Sequence, residues 1–265
     1  MDLGLRGKIA IITGGGDGIG KATAEALALE GATVAICSRN LEKLKKVAVD
    51  IESRTGSRVL PVQIDTTDWK SVQAAVKQTV DTLGGIDILV NCAAAPGGMV
   101  KNDIELADED MLMLDLNTKL MGYFRMCKAC VPHMRKAGWG RILNIGGLTA
   151  RCTEALSGMR NTAIVHMTKT LSDHLGRKGI TVNIVHPGVT RTDHILEMFQ
   201  RRADDRGVSL EQIVREEASD PAAIGRMLET KEVVDFMVFL CSPLSSGITG
   251  ESIAVDGGLS RAIYL

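Results

Sequence analysis

The sequence lacks the features of a membrane protein and of a nucleic-acid-binding protein. No apolar run in the 265 residues is long enough to cross a bilayer, and residues 1–8 contain no apolar signal region. The formal net charge is −1 at pH 7, so there is no basic field to attract a nucleic acid and no charged tail. We therefore expect neither a membrane nor a nucleic acid among its partners.

Cysteine is too sparse for a disulfide framework, since the chain has six in 265 residues. Cys127 and Cys130 form a CxxC pair, but this pair lies in a segment of helical periodicity and has no second ligand pair. Two core thiols on one face of a helix explain the pair better than a metal site does. The sequence thus predicts a reducing, cytoplasmic compartment and no bound metal.

Tyrosine is scarcer still. The chain has two, Tyr123 and Tyr264, and residues 124–263 contain none. Any mechanism that takes a phenol from residues 124–263 is therefore excluded by the count alone.

The chain does contain a regular alternation of short apolar runs and longer helical patterns. This alternation is typical of an α/β protein whose parallel sheet is covered by helices on both faces. The 265 residues show no internal repeat, so we predict one domain, residues 1–265, with a full core. Strands are predicted at 8–13, 33–37, 59–64, 86–90, 140–145, 181–186 and 252–255, and helices at 18–30, 41–54, 68–83, 109–136, 155–177 and 230–241.

A charged segment, residues 191–228, interrupts the alternation after the sixth predicted strand. Ligands of open parallel sheets bind beyond the carboxyl ends of the strands, so we interpret this segment as a lid over the substrate. Its apolar side chains, Met198, Phe199 and Met227, favour a partly apolar substrate. The alternative is a surface excursion with no role in binding.

The most informative motif is the glycine-rich run at residues 13–20, which reads TGGGDGIG. It follows an apolar strand and opens a helix, the context in which such a run cradles phosphate. Gly14 permits the tight turn, Gly18 lets backbone N–H groups approach a pyrophosphate, and Gly20 allows the helix to pack closely. The sequence therefore predicts a bound dinucleotide, with a ligand-free glycine turn as the alternative.

Further motifs follow in a fixed order along the chain. They are Asp65, Asn91-Cys92-Ala93-Ala94, Pro132-His133-Met134, Gly140 to Ile145, Asn183 to Thr192, and Val255-Asp256-Gly257-Gly258. Together with the glycine-rich run, they resemble the short-chain dehydrogenase/reductase family over essentially the whole chain. The resemblance implies a doubly wound Rossmann fold with a seven-stranded parallel sheet, assembled as a dimer or tetramer. It also implies NAD(H) or NADP(H) binding and the interconversion of alcohols and carbonyls.

The same resemblance assigns the cofactor contacts. It places Gly14, Gly18, Ile19 and Gly20 on the pyrophosphate, Asp65 on the adenine, Asn91 and Ala93 beside the ribose, and Pro187, Gly188 and Thr192 at the nicotinamide amide. The family's Asn-Asn-Ala-Gly segment reads Asn-Cys-Ala-Ala in this chain.

Cofactor choice depends on the residues that end the second strand. Ser38 and Arg39 stand there with no carboxylate, and an arginine at this point suits the 2′-phosphate of NADP(H) better than the ribose hydroxyl of NAD(H). Asp17 argues the other way, because many NADP-using relatives carry a basic residue at that point of the glycine-rich run. We favour NADP(H).

The chain departs from the family in the catalytic residues, which are Asn, Ser, Tyr and Lys in the family. Matching the motifs places Ser157 at the Tyr position, Asn161 at the Lys position and Gly147 at the Ser position. Counting back without gaps from residues 132–134 places Lys119 at the Asn position. Asn117 would take that position only with a two-residue insertion.

Three interpretations remain open. In the first, the protein is an oxidoreductase that interconverts a carbonyl and an alcohol, with Lys119 as the proton donor. Ser157, Arg160 and Asn161 would then bind the substrate oxygen, or Arg160 would pair with a substrate carboxylate. His186 and His194 are further candidate acids, and Arg191 is a further anion-binding candidate.

The second interpretation is a catalytically inactive chain that binds nucleotide either to stabilise its own fold or to regulate a partner subunit in a hetero-oligomer. The third is non-redox chemistry on the same scaffold. For a homotetramer, Tyr264 is predicted to reach the site of a neighbouring subunit.

Overall fold

The computed structural model describes residues 2–94, 100–152 and 155–261. These residues form a seven-stranded parallel sheet in the order β3-β2-β1-β4-β5-β6-β9, the Rossmann-type doubly wound topology. The strands are β1 (Ile9–Thr13), β2 (Thr33–Ser38), β3 (Val59–Gln63), β4 (Ile88–Asn91), β5 (Gly140–Ile145), β6 (Ile180–Pro187) and β9 (Ser252–Val255). The predicted fold is confirmed, with each predicted strand present within two residues of its expected ends.

Helices cover both faces of this sheet. They are α1 (Gly18–Leu29), α2 (Leu41–Thr55), α3 (Trp69–Leu83), α4 (Glu109–Leu116), α5 (Gly122–Ala137), α6 (Gly158–Leu175) and α9 (Thr230–Cys241). Successive side chains of a strand point to opposite faces, so Ile12 packs in the cluster with α1, α2 and α9, while Ile11 packs with α3, α5 and α6. Two apolar clusters therefore hold the sheet rigidly and fix the positions of the strand ends.

The predicted helix at 109–136 is interrupted. A π turn at Asn117–Met121 separates α4 from α5. Such turns widen the helix locally and change which side chains face the protein interior, a feature common at functional sites. Hydrophobic periodicity does not reveal it, because the flanking helices continue on either side.

The segment at 191–228, for which the sequence predicts no helix or strand, has regular structure. It contains α7 (Asp193–Arg206), α8 (Leu210–Val214) and a π turn (Arg215–Ser219), and it is bounded by a small two-stranded sheet of β7 (Thr190–Arg191) and β8 (Leu228–Glu229). Phe199 and Met227, which we expected to favour an apolar substrate, are 2% and 3% exposed in a cluster belonging to this segment. They hold the segment together and do not offer a surface to a ligand, which corrects that expectation.

The two cysteines of the CxxC pair are core thiols on one face of a helix, as the sequence predicts. Cys127 and Cys130 are free thiols buried on the inner face of α5. Within the described ranges, no cluster of side chains is suited to hold a metal ion, and no helix is long and apolar enough to cross a membrane. Tyr264 lies outside the described residues.

Candidate active site

The carboxyl ends of neighbouring strands meet at one edge of the sheet. Thr13 ends β1 and lies beside Cys37 of β2 on one side and Asn91 of β4 on the other. All the cofactor positions predicted from the sequence lie at or just beyond this edge: Gly14, Gly18, Ile19, Gly20, Ser38, Arg39, Asp65, Asn91, Ala93, Pro187, Gly188 and Thr192. In open parallel sheets this edge forms the ligand crevice.

The glycine-rich loop packs backbone against backbone. The Gly14 N–H donates to the carbonyl of Cys37 at 2.8 Å, and Gly14 has a φ of +70°. A Cβ on Gly20 would lie 2.2 Å from the Gly14 oxygen, so any side chain there would force the loop away from the helix. These contacts confine the turn to glycine and bring the start of α1 close to the strand ends.

The start of α1 is open to an anion. Its N-cap, Asp17, makes no capping hydrogen bond, and the first turn contains no acidic residue. Five other helices, α2, α3, α4, α7 and α8, begin instead with a side-chain cap that accepts a backbone hydrogen bond. Because the unsatisfied N–H groups of α1 carry partial positive charge, this helix end fits a pyrophosphate.

The Asp17 carboxylate is engaged elsewhere. It forms an ion pair with the ammonium of Lys43, on the first turn of α2. Arg39 is exposed at the end of β2, and its carbonyl accepts a hydrogen bond from Gln63 at 3.0 Å. The Asp65 carboxylate accepts from the backbone and hydroxyl of Thr67, and these hydrogen bonds lower the pKa of Asp65.

At the other end of the crevice, the π turn buries Lys119, which is 4% exposed. Its ammonium donates to the carbonyl of Gly146 at 2.8 Å and to Asn161 Oδ1 at 3.0 Å. No carboxylate pairs with it among the described residues. Burial therefore lowers the pKa of the Lys119 amine from 10.5 to about 8.

Asn161, on α6, is held at both ends of its amide. Its Oδ1 accepts from Lys119, and its Nδ2 donates to Thr149 Oγ1 at 2.7 Å. A Cβ on Gly147 would lie 2.8 Å from that Nδ2, so the Asn161 side chain occupies the space that a side chain at position 147 would need. Glycine at 147 and asparagine at 161 thus depend on each other sterically.

His186 is not a candidate acid, contrary to the expectation from sequence. Its Nδ1 lies 3.1 Å from the Gly147 nitrogen, and its Nε2 lies 2.9 Å from Ser252 Oγ. Burial lowers the pKa of His186 to about 4, so the ring is neutral at pH 7 and orients the loop at Gly147. A Cβ on Gly146 would lie 2.4 Å from the same ring. His194, the other candidate acid, is exposed on α7.

Arg160 is already paired. It forms a buried ion pair with Asp115, whose side chain is 2% exposed, and this contact links α4 to α6. The prediction that Arg160 binds a substrate carboxylate is therefore corrected, because its charge is neutralised within the protein. Each partner of this ion pair also has a buried polar atom, Asp115 Oδ2 and Arg160 Nε, that has no hydrogen-bond partner in the described part of the chain.

Three other polar side chains near the site have distinct roles. The Tyr123 hydroxyl donates to the Ile145 carbonyl at 3.1 Å, and burial raises the pKa of this phenol, so it is a structural group. Asn117 Oδ1 accepts from Arg125 at 2.9 Å and is thus turned towards α5. Ser157 is half-buried just before α6, and its hydroxyl has no partner in the ranges that the structure describes.

Comparisons with known proteins decide the family. A protein-family model described as enoyl-(acyl carrier protein) reductase matches residues 14–260 of the sequence. The short-chain reductase protein NovJ of Streptomyces niveus is 35% identical over 255 residues, covering 94% of this chain and 93% of NovJ. This chain belongs to the short-chain dehydrogenase/reductase family.

Other short-chain dehydrogenases/reductases match over similar lengths. The 3-oxoacyl-[acyl-carrier-protein] reductase FabG of Aquifex aeolicus is 32% identical over 266 residues, covering 98% of this chain and 100% of FabG. The L-sorbose reductase of Gluconobacter frateurii, crystallised with NADPH and L-sorbose, superimposes with a TM-score of 0.93 at 30% identity. That alignment covers 99% of this chain and 100% of the sorbose reductase.

Some residues of this site could not be predicted from the sequence. The sequence singled out Lys119, Ser157 and Asn161 but not Asp115, Thr149 or the neutral role of His186. Nothing in the local pattern marks these three residues, since their partners lie on other elements. The count of tyrosines is a sequence signal that depends on no alignment, whereas the positions of Ser157, Asn161 and Gly147 depend on matching the family's motifs.

Proposed function

We propose that this protein is an NADP(H)-dependent oxidoreductase that interconverts a carbonyl compound and an alcohol, with Lys119 in place of the family's tyrosine. The observation that carries the proposal is the buried Lys119 ammonium, held between Gly146 and Asn161 with no carboxylate partner among the described residues. Burying an unpaired charge is costly, and ionisable groups perturbed in this way cluster at functional sites.

The cofactor assignment is supported by the residues at the strand ends. The open start of α1 suits a pyrophosphate, and the exposed Arg39 at the end of β2 suits a 2′-phosphate. The sorbose reductase that this chain resembles was crystallised with NADPH. A nicotinamide bound in this crevice supplies the hydride for reduction and accepts it in oxidation.

Lys119 has one hydrogen left for the substrate. Two of its three N–H hydrogens point to Gly146 and Asn161, and the third has no acceptor within the described residues. With a nicotinamide bound, the Lys119 ammonium would stabilise the negative charge that develops on the carbonyl oxygen during reduction, and would donate the proton that completes the alcohol. The neutral amine then regains a proton from solvent. A pKa of about 8 leaves the amine protonated at neutral pH and makes it a stronger acid than an ordinary lysine.

Ser157 and Asn161 divide the remaining tasks. The Ser157 hydroxyl is unpaired in the described ranges, so it can hydrogen-bond the substrate oxygen beside Lys119. Asn161 is expected from sequence to bind that oxygen too, but both ends of its amide are occupied. We therefore assign Asn161 as a positioning residue that aims the Lys119 ammonium.

The segment at 191–228 retains its proposed role as a lid. Thr192 caps α7, and its methyl carbon lies 3.5 Å from the position of a Cβ on Gly18. This segment therefore begins at the edge of the cofactor crevice. Closure over the substrate would exclude water from Lys119.

We also propose that the protein is a homo-oligomer, either a dimer or the homotetramer that the resemblance implies. Leu114 on α4, Met121 at the end of the π turn and Phe124 on α5 are 42%, 39% and 44% exposed, and Met159 is 50% exposed on the neighbouring α6. A concentration of large apolar side chains on adjacent helices is typical of a subunit interface. Light scattering of the purified protein tests it, and a monomer at micromolar concentration contradicts it.

The function is tested by equilibrium titration of the purified protein with NADPH and NADH, followed by a panel of carbonyl compounds with the tighter nucleotide. Binding that favours NADPH, and oxidation of NADPH by at least one carbonyl, supports the proposal. Tight binding without turnover on any carbonyl favours the inactive partner subunit. Absence of binding to either nucleotide refutes the oxidoreductase assignment.

A further inference from the structure

The glycine-rich loop carries an acid beside the predicted phosphate site, and the structure shows how its charge is balanced. Asp17 pairs with Lys43 from the first turn of α2, and their side chains are 73% and 47% exposed. The sequence alone leaves Asp17 as an argument against NADP(H). The ion pair weakens that argument, because it brings the Lys43 ammonium, a second cation besides Arg39, beside the glycine-rich loop.

Lys43 lies at the corner where the glycine-rich loop meets the end of β2. A Cβ on Gly16 would lie 3.7 Å from Ser38 Oγ and 3.6 Å from Leu44 Cδ2, so loop, strand end and helix start converge. Asn40 caps α2 by accepting the Lys43 N–H at 3.0 Å, which fixes the backbone that carries the ammonium. Arg39, between Ser38 and the cap, is exposed at the same corner.

We propose that Lys43 selects NADP(H) over NAD(H) by exchanging the Asp17 carboxylate for the cofactor's 2′-phosphate, which it binds together with Arg39. This inference rests on the proposed NADP(H)-dependent function and adds to it a specificity residue and a competing anion. An exposed ion pair contributes little to stability, so the exchange of one anion for another is inexpensive. A phosphate with nearly two negative charges is the stronger partner.

Asp17 sets the strength of this selection. With Lys43 bound to the phosphate, the Asp17 carboxylate remains close by and repels it. Removing that carboxylate while keeping its shape therefore strengthens NADPH binding. NADH has no 2′-phosphate, so neither residue influences its affinity strongly.

The experiment titrates the unsubstituted protein and three variants with NADPH and with NADH at low ionic strength. Binding is monitored by tryptophan fluorescence or by calorimetry. The variants are Lys43→Met, Asp17→Asn and the control Lys45→Met, which removes an exposed lysine paired with Glu42 on the same helix. We expect Lys43→Met to raise the Kd for NADPH about tenfold, the effect of one lost charged contact. We expect Asp17→Asn to lower the Kd for NADPH several-fold. The Kd for NADH stays within about twofold in all four proteins, and Lys45→Met leaves both values unchanged.

Distinct results overturn the inference and the proposed function. An equal effect of Lys43→Met on both nucleotides, or none on NADPH, overturns the selectivity role of Lys43. Weaker NADH binding in Asp17→Asn would show that Asp17 binds the ribose hydroxyls, and this result also overturns the selectivity role of Lys43. If the unsubstituted protein prefers NADH, both the NADP(H) assignment and this inference fail. If it binds neither nucleotide, the oxidoreductase function itself is refuted.

Discussion

Lys119 donates a hydrogen bond to Asn161 Oδ1 at 3.0 Å, across the interface between the π turn and α6. In the ungapped register of the family, these are the positions of the catalytic asparagine and lysine respectively. If that register holds, the two residue types have exchanged positions, which the second prediction below tests. The contact therefore joins a buried ammonium on the π turn to an amide on α6.

The first prediction concerns Lys119 itself. In Lys119→Met, we expect carbonyl reduction to fall by about 10²–10⁴-fold, because the proton donor is removed while the hydride donor remains. The Kd for NADPH stays within about twofold, since the pyrophosphate and 2′-phosphate contacts lie elsewhere. Steady-state kinetics and nucleotide titration measure the two quantities.

Lys128→Met is the matched control, because this exposed lysine on α5 lies 4.8 Å from the Trp69 ring and away from the site. It leaves turnover unchanged. Full activity in Lys119→Met removes Lys119 from the mechanism.

The second prediction tests the exchange of residue types. Asn161→Lys alone places two ammonium groups in one buried site, so it destabilises the protein strongly. Lys119→Asn alone removes the cation and lowers turnover as Lys119→Met does, by about 10²–10⁴-fold. The double variant restores one amine and one amide to the pair, and we expect it to be more active than Lys119→Asn and more stable than Asn161→Lys. Additive losses in the double variant, measured by kinetics and thermal unfolding, contradict the exchange.

The third prediction is a pH dependence of catalysis. The pKa of Lys119 is about 8, so the ammonium that reduction needs is present below pH 8 and is lost as the pH rises above it. Reduction should be level below pH 8 and fall about tenfold per pH unit above, while alcohol oxidation rises over the same range. A reduction rate that is level to pH 10 argues against Lys119 as the acid.

The same amine makes stability depend on pH. Its pKa is about 8 in the folded protein against 10.5 in the unfolded chain, so between these values the unfolded state binds more protons. The free energy of unfolding therefore rises as the pH goes from 8 to 10.5, by about 3 kcal/mol in total from this group. Denaturant unfolding of the protein and of Lys119→Met isolates the effect, because the variant lacks this contribution.

The fourth prediction concerns the space shared by Gly147 and Asn161. Gly147→Ser restores the family's residue type but brings a Cβ within 2.8 Å of Asn161 Nδ2, so we expect a loss of about 1–3 kcal/mol in stability. Adding Asn161→Ala relieves the overlap and recovers part of that loss. Gly176→Ser is the control, because nothing lies within 4 Å of a Cβ at Gly176. Equal melting temperatures for Gly147→Ser and the unsubstituted protein would exclude the steric coupling.

The fifth prediction concerns the buried ion pair between Asp115 and Arg160. Asp115→Leu leaves the Arg160 charge buried without a partner and costs about 3–5 kcal/mol. The double variant Asp115→Leu/Arg160→Met costs less, since no isolated charge remains. Chemical denaturation of both variants measures the difference. Equal losses in the two variants show that the ion pair is not the source of the cost.

Much of the fold could be predicted because its signals are local. Apolar runs of strand length and amphipathic helical patterns depend on nearest neighbours along the chain, and they located β1 to β6 and β9 closely. The π turn at Asn117–Met121 could not be predicted, since its hydrogen bonds differ from those of α4 and α5 without a change in residue pattern. The residues at 191–228 form helices where polarity suggested irregular chain, because their apolar faces pack against each other.

By itself, the sequence determined the parallel sheet, the glycine-rich turn between β1 and α1, and the absence of a tyrosine at residues 124–263. Only the tertiary structure decided which charged groups meet: Asp17 with Lys43, and Asp115 with Arg160. It also placed Lys119 against an amide, with no carboxylate partner in the described part of the chain. The physical reason is that periodicity fixes which face of an element a side chain occupies. Its partner on another element is chosen by how the elements pack, and for a buried amine that partner sets the pKa and hence the chemistry.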